Sequence, residues 1–389
     1  MISGVIAEFN PFHNGHAYLL SQARINSEAV ICVMSGNFVQ RGDVAIYPKH
    51  IRAQAALKNG ADMVIALPAG WSMSGAENFA LGGVSLLKST SVVDRIVFGC
   101  ETEEQQLLYK TVEILNDKNT DLNLKKHLST GITYAAARLL AVKEYCEKCA
   151  DILSLPNNIL ATEYISAAHK LEFNAEMLPV KRLGAEHDSE IASKNIASAS
   201  HIRNLIRKGC DFSSFVPENS IDLMTKNEFS DISRIDNSLL FKLRSLSLDD
   251  IKNLPDISEG IENRIFVAIK TADSIEDLCQ KIKTKRYTYS RIKRIILSAC
   301  FGIDNSYRKK EPPYIHVLGV TAKGKELLSK IASRSQIPLI LSNKDISGLS
   351  GFAGKVFDTE SLADDLYGLA FTNYKKSGSN YSLPLIKSE

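Results

Sequence analysis

The sequence predicts an α/β fold built on a doubly wound parallel sheet, and three observations carry that prediction. Over the first hundred residues short apolar runs alternate with longer helical stretches, the pattern of βαβ units whose strands are buried on both faces. The first apolar run, ISGVIAEF, ends in NPFHNGH, at the carboxyl end of a strand, where such sheets bind their ligands. Apolar residues make up 44% and charged residues 23% of the 389 positions, the balance of a globular chain long enough for more than one domain.

Taken in order, strands are expected at Ile2–Glu8, Ala29–Met34, Met63–Leu67 and Arg95–Phe98, with helices over Gly15–Ile25, Pro48–Asn59 and Ser74–Ser89. Residues 103–150 read as helical, broken by polar stretches near Asp117–Asn123 and Ser129–Gly131. SLPNNILATEYISAAHKL sets an Asn-Asn turn before another helix, and Glu176–Pro179 reads as a last strand. After the loop KRLGAEHDS, Ser198 and Ser200 are good caps for a helix that carries Arg203. The first domain is therefore drawn over residues 1–210. A more charged helical region follows over 211–312, and a small C-terminal α/β segment over 313–389 contains the strand-like runs IHVLGV and PLILS.

Composition excludes some classes. The net charge of +3 is small, so a nucleic-acid surface must come from local clustering. The first residues lack a basic leader region, and no apolar run approaches the roughly 18 residues that cross a bilayer. The seven cysteines are scattered, which points to reduced thiols in a cytoplasmic protein without a disulfide framework. Cys146 and Cys149 form a lone CxxC, weak evidence for zinc, and no metal ligand is assigned.

The chemistry concentrates in NPFHNGH. Pro11 stiffens the turn, Gly15 allows close approach of a ligand, and the start of a helix offers unpaired amides with partial positive charge. His13 and His16, three apart, project into the same space and can donate to phosphoryl oxygens. Transfer at the α-phosphate of ATP needs positioning and charge stabilisation more than covalent help, and two imidazoles supply both.

An HxGH after the first strand resembles the motif of the nucleotidyltransferase superfamily, whose domain is Rossmann-like and shared with class I aminoacyl-tRNA synthetases. SASHIR, residues 198–203, matches the second superfamily motif. AEFNPFHNGH, MSGNFVQRG, FGCE, LPNNILATEY and VKRLG together resemble the bacterial tRNA(Met) cytidine acetate ligase family. The resemblance implies an ATP-dependent ligase that makes acetyl-adenylate, releases pyrophosphate and acetylates N4 of the wobble cytidine of elongator tRNA(Met). ATP, with Mg2+, would be wrapped by Ile6, Ala7, Glu8, Phe9, Asn10, Pro11, Phe12, His13, Asn14, Gly15, His16, Ala17, Tyr18 and Leu19. His13 and His16 would be catalytic, Gly99, Asn157 and Arg182 would contact the nucleotide, and Ser200 and Arg203 would hold the β- and γ-phosphates. The loop SGNFVQRGDVAIYPKH offers Gln40, Arg41 and Lys49 for acetate, Arg41 as a bidentate partner and Lys49 as a counter-charge.

One departure matters. Small-molecule adenylyltransferases carry a Gly-rich G-x-F-D-P-x-H, whereas Glu8 here occupies a position where a small residue is typical, and Asn10 replaces Asp. Residues 281–310 carry ten Lys or Arg against one acid, Asp304, with Tyr287, Tyr289 and Tyr307 interleaved. Cations from Lys285, Arg286, Arg291, Lys293 and Arg294 would bind the tRNA backbone while the tyrosines stack on bases. Two other readings stay open: a small-molecule adenylyltransferase of the same fold, and a non-catalytic RNA-binding protein. The basic segment favours the ligase over the first, and the intact His13, His16 and Arg203 set favours it over the second.

Overall fold

Near-continuous apolar runs such as AVICVMS and MVIAL can be buried on both faces of a strand only if helices cover both sides of the sheet. The computed structural model, which describes residues 1–102, 104–183, 195–258 and 260–388, has that arrangement. Strands β1 (Ile2–Ala7), β2 (Ala29–Ser35), β3 (Met63–Leu67), β4 (Arg95–Cys100) and β5 (Glu176–Lys181) alternate with helices α1 (Asn14–Arg24), α2 (Lys49–Lys58), α3 (Ala76–Ser89) and α4 (Pro156–Lys170). Ile6, Ile31, Val33 and Ile65 point into one core with Phe79 and Val84 of α3 and Tyr164 of α4. Val5, Val30, Cys32 and Val64 point into the opposite core, against Leu20 of α1 and Ala53 of α2. These elements lie within a residue or two of their expected ranges.

Parallel pairing sets Ile2 opposite Ala29, Ile31 opposite Met63, and Ser3 opposite Arg95. The chain thus runs outward from β1 through β2 to β3, then crosses back to place β4 and β5 on the other side of β1. The strand order reverses beside β1, so a crevice opens at its carboxyl end.

The C-terminal residues differ from expectation. Residues 313–389, drawn as a small segment of their own, extend this sheet: β6 (Ile315–Val320) pairs antiparallel with β3. The short strands β7 (Leu339–Ile340) and β8 (Ile386–Lys387) both pair parallel with β6. Residues 211–312 form helices, as expected, but their buried side chains, such as Leu239, Ile265 and Ile292, join the core that contains β1 to β4. A second correction concerns Cys146 and Cys149, which are joined as a disulfide rather than held as reduced thiols.

A buried polar network ties the ends of the chain together. Lys49, expected at the acetate pocket, is 3% exposed; its ammonium lies 2.6 Å from Asp364 Oδ2 on α7 (Gly351–Gly368) and 2.8 Å from Asn380 Oδ1. Asn37 Nδ2 donates to Asp364 Oδ1, and Asn37 Oδ1 accepts the Lys49 amide, each at 2.7 Å. Lys49 is therefore a structural counter-ion with no charge left for a small carboxylate.

Removing one partner of such a pair strands the other charge in the core. Lys49→Met should cost about 3–5 kcal/mol of unfolding free energy, and adding Asp364→Leu should recover part of it. Urea denaturation of both variants measures the two values.

Candidate functional site

The turn after β1 is fixed by one guanidinium. Arg52, fully buried on α2, donates to four main-chain carbonyls: Tyr47 at 2.9 Å, Glu8 at 2.6 Å, Ser35 at 3.1 Å, and Gly36. It thereby clamps the carboxyl ends of β1 and β2, and its burial pulls its own pKa down to about 10. Beyond that clamp Phe9 takes a left-handed backbone, φ +49°, and the Asn10–Pro11 peptide is cis. Asn10 is held from both sides: its Oδ1 accepts the Ile46 amide, and its carbonyl accepts Arg203 Nη1, each at 2.7 Å. A conformation that is uncommon for a bulky side chain is over-determined by its neighbours.

This turn delivers the two histidines. His13 precedes the first turn of α1, and its ring stacks on that of His16 with centroids 3.7 Å apart. Phe9 and Phe12 close around His16, at 5.0 and 5.7 Å between centroids. The His13 amide donates to His16 Nδ1 at 3.2 Å, which leaves the proton of the neutral ring on Nε2 as a donor. Among the described residues His13 Nδ1 is buried with no hydrogen-bond partner, an orphaned polar atom that a ligand could satisfy. Burial, then the nearby Arg182 and Arg203, lowers the His13 pKa to about 3; burial, His13 and Arg182 lower that of His16 well below its ordinary value.

The remaining expected nucleotide residues gather at the same edge. On β4 a Cβ at Gly99 would lie 3.3 Å from Arg182 Cγ, so this glycine makes room for the arginine stem. Arg182 Nη1 donates to Asn157 Oδ1 at 3.1 Å, at the start of α4. Glu101, the last residue of FGCE, to which the sequence assigns no role, accepts the Asn158 amide at 2.8 Å and also binds Asn157 Nδ2. Asn158 Oδ1 in turn accepts the Glu101 amide at 2.8 Å. The pair FGCE and LPNN is thus a reciprocal cap, legible as two motifs though not as partners. On α5 (Ala199–Arg207), Ser198 caps the helix and Ser200 Oγ accepts Arg203 Nη2 at 3.0 Å. The segment 184–194, which contains part of KRLGAEHDS, lies outside the described residues.

Gln40 and Arg41 lie on the hairpin that follows β2, where Phe38–Val39 pairs with Asp43–Val44. Arg41 is exposed, and the Gln40 amide donates to Glu8 Oε1 at 2.7 Å. On the other side of the hairpin, a Cβ at Gly42 would meet Arg294 N and Lys293 Cβ at 2.7 Å, so α6 (Tyr289–Phe301) packs directly on the QRG turn.

The basic stripe is partly corrected. Tyr287 and Tyr307 are core residues, bonded to Ser258 and Thr359, so they offer no face to a base. Arg291 stacks on Tyr287 at 4.1 Å and donates to the Asp256 carbonyl at 2.7 Å. Arg294 ion-pairs with Asp256 at 3.8 Å and donates to the Gln40 carbonyl. Arg286 donates to the Gly131 carbonyl at 3.3 Å. Lys285 is exposed, and Lys293 lies 5.6 Å from the Tyr289 ring. Sequence spacing does not show that Asp256, on a separate loop, holds two of these cations inward, Arg291 through its main-chain carbonyl and Arg294 through its carboxylate.

The strand ends therefore bring together two neutral histidines, two arginines and a helix N-terminus, a set suited to a polyanion. Among the described residues, no group of three His, Cys, Asp or Glu is arranged to hold a metal ion, and no helix is long and apolar enough to cross a membrane.

A family model for HIGH nucleotidyl transferases matches residues 1–382. A protein of Acetivibrio thermocellus named tRNA(Met) cytidine acetate ligase is 36% identical over 416 residues, with 99% of each chain covered. A Clostridium kluyveri protein of the same name is 38% identical over 408 residues, covering 99% of this chain and 98% of its own. The crystal structure of Thermotoga maritima TmcAL bound with alpha-thio ATP superposes over 100% of both chains with a TM-score of 0.90 at 30% identity. The apo form of that protein gives 0.91.

The low histidine pKa values have a stability consequence. His13 and His316 titrate at about 3 and His50 at about 4, whereas unfolded imidazoles take up protons near 6.5. Stability present above pH 6.5 is therefore lost as the pH falls toward those values. Glu360, pushed up to about 7 by burial, opposes this trend, together with Glu8, Glu163 and Asp236, which burial also raises. Urea midpoints should fall between pH 7 and 5, and His13→Asn should reduce that slope.

Proposed function

Since the chain belongs to the HIGH nucleotidyl transferase family, we propose that its reaction is the one its curated relatives are named for. It is an ATP-dependent ligase that activates acetate and transfers the acetyl group to a cytidine of tRNA(Met). The observation that carries this reading is the convergence of His13, His16, Arg182 and Arg203 at the switch point of the sheet.

In the first step an acetate oxygen attacks the α-phosphorus, the bond to the β-phosphate breaks, and pyrophosphate leaves. Charge builds on phosphoryl oxygens, where His16 Nε2, the first amides of α1 and the two arginines supply donors in a water-poor site. Arg203, already bonded to Ser200, faces the β- and γ-phosphates, while Asn157 and Arg182 face the nucleoside side. Gln40 and the exposed Arg41 border the side on which acetate enters. Mg2+ would arrive on the triphosphate with its waters, since it is commonly held by substrate phosphates and the described residues form no carboxylate cage.

In the second step the mixed anhydride is attacked by the exocyclic N4 amine of the wobble cytidine of elongator tRNA(Met), and AMP leaves. Catalysis falls in residues 1–210, and residues 211–312 face the tRNA. Because α6 packs on the QRG turn, Lys285 and Lys293 are the cations of that stripe best placed to guide the backbone toward the crevice.

Acetate-dependent pyrophosphate exchange and mass analysis of tRNA nucleosides test the reaction; no exchange with acetate, with or without tRNA, overturns it. His16→Ala removes a phosphate donor and should lower exchange about 100-fold or more. Lys285→Glu should weaken tRNA binding and flatten its salt dependence, with a much smaller effect on exchange.

A further inference from the structure

Glu8 is an unexpected residue at the mouth of a triphosphate site, because a carboxylate there repels phosphate. It lies half-buried just beyond β1. One oxygen, Oε1, accepts the Gln40 amide of the hairpin at 2.7 Å. Among the described residues, Oε2 has no hydrogen bond and no ion pair. That is notable because three guanidiniums surround it. Arg41, Arg52 and Arg203 all act on Glu8 through space, from the hairpin, α2 and α5. Arg52 spends its hydrogen bonds on carbonyls, including that of Glu8 itself, and Arg203 spends its own on Asn10 and Ser200. The other titratable neighbour is Tyr164 of α4, whose burial keeps it neutral. The carboxylate is thus held in place at one oxygen and open at the other.

An open carboxylate oxygen seeks a donor. The second step of the ligase reaction brings one, the exocyclic amine of cytosine, which carboxylate side chains bind through N4–H. The adenine amine of ATP is the competing donor. Gly99 and Arg182, however, lie at the ends of β4 and β5, with Asn157 of α4 bonded to Arg182, across β1 from the hairpin that Glu8 contacts. Glu8 faces the acceptor side of the crevice.

Resting on the ligase reading above, we propose that Glu8 is a catalytic residue of acetyl transfer: its free carboxylate oxygen binds the N4 amine of the target cytosine and takes its proton. As the nitrogen lone pair attacks the acetyl carbonyl carbon, the C–N bond forms and the bond from that carbon to the oxygen of AMP breaks. The proton released by the nitrogen passes to Glu8 as AMP leaves. Desolvation raises the Glu8 pKa above that of an ordinary carboxylate, while the three arginines moderate the shift. A base so tuned accepts a proton more readily near neutral pH.

The experiment separates the two half-reactions of the full-length protein. Acetate-dependent pyrophosphate exchange reports the first, and single-turnover acetylation of tRNA from synthetic acetyl-adenylate between pH 5.5 and 9 reports the second. Glu8→Gln keeps an oxygen to accept the Gln40 amide, so the hairpin stays held. Its transfer rate should fall about 100-fold or more, at least ten times more than exchange falls, and the rise of rate with pH seen in the wild type should vanish. Glu8→Asp should retain that rise at a lower rate. Equal loss in both half-reactions with the pH profile intact would reduce Glu8 to a support for the hairpin and overturn the proposal. A raised KM for ATP with an unchanged ratio of the two rates would assign it to adenine and overturn it too. Failure of the wild type to acetylate tRNA at all would overturn the ligase reading with it, which distinguishes the two failures.

Discussion

Everything at the crevice depends on a cation whose hydrogen bonds go to carbonyls. Arg52 gives its donors to four carbonyl oxygens at the ends of two adjacent strands. Those carbonyls lie where the sheet hydrogen bonds stop, and a buried carbonyl without a donor is costly. One guanidinium satisfies the set and at the same time defines how β1 leaves the sheet. The left-handed Phe9, the anchored Asn10 and the stacked histidines follow from that departure. A lysine could not replace it, because a point-charge ammonium lacks the fork of donors that reaches both strands.

Electrostatically the crevice is prepared for negative charge before any arrives. Its imidazoles are kept neutral by burial and by Arg182 and Arg203, so they act as hydrogen-bond donors without adding to the repulsion between cations. A bound polyanion would relieve that repulsion and raise the imidazole pKa values. Binding and protonation are linked in this site, with the arginines setting the resting state.

Much of the sheet was legible because strand and helix periods differ and each run of the first hundred residues was long enough to display its own. NPFHNGH was legible because position and composition agreed: a strand end, a glycine and two histidines. Partnership was not legible. Lys49 read as an acetate ligand because Asp364, which neutralises it, lies far along the chain on α7. Tyr287 and Tyr307 read as stacking faces because an aromatic beside cations looks alike whether it faces solvent or core. The antiparallel docking of β6 on β3 could not be seen either, since IHVLGV carries no mark of the strand it will pair with. Local pattern reports what an element is; long-range pairing decides what it touches.

The insertion of β6 beside β3 has a consequence for synthesis. A ribosome delivers the histidines, the arginine clamp and the whole parallel core long before it delivers residue 315. Until then β3 is an exposed edge with unpaired amides and carbonyls, open to pairing with other chains. Lys49 meanwhile waits for Asp364. The nascent chain holds its catalytic motif early but completes its scaffold late, so the last fifth of the protein serves as the closing seam of the first domain.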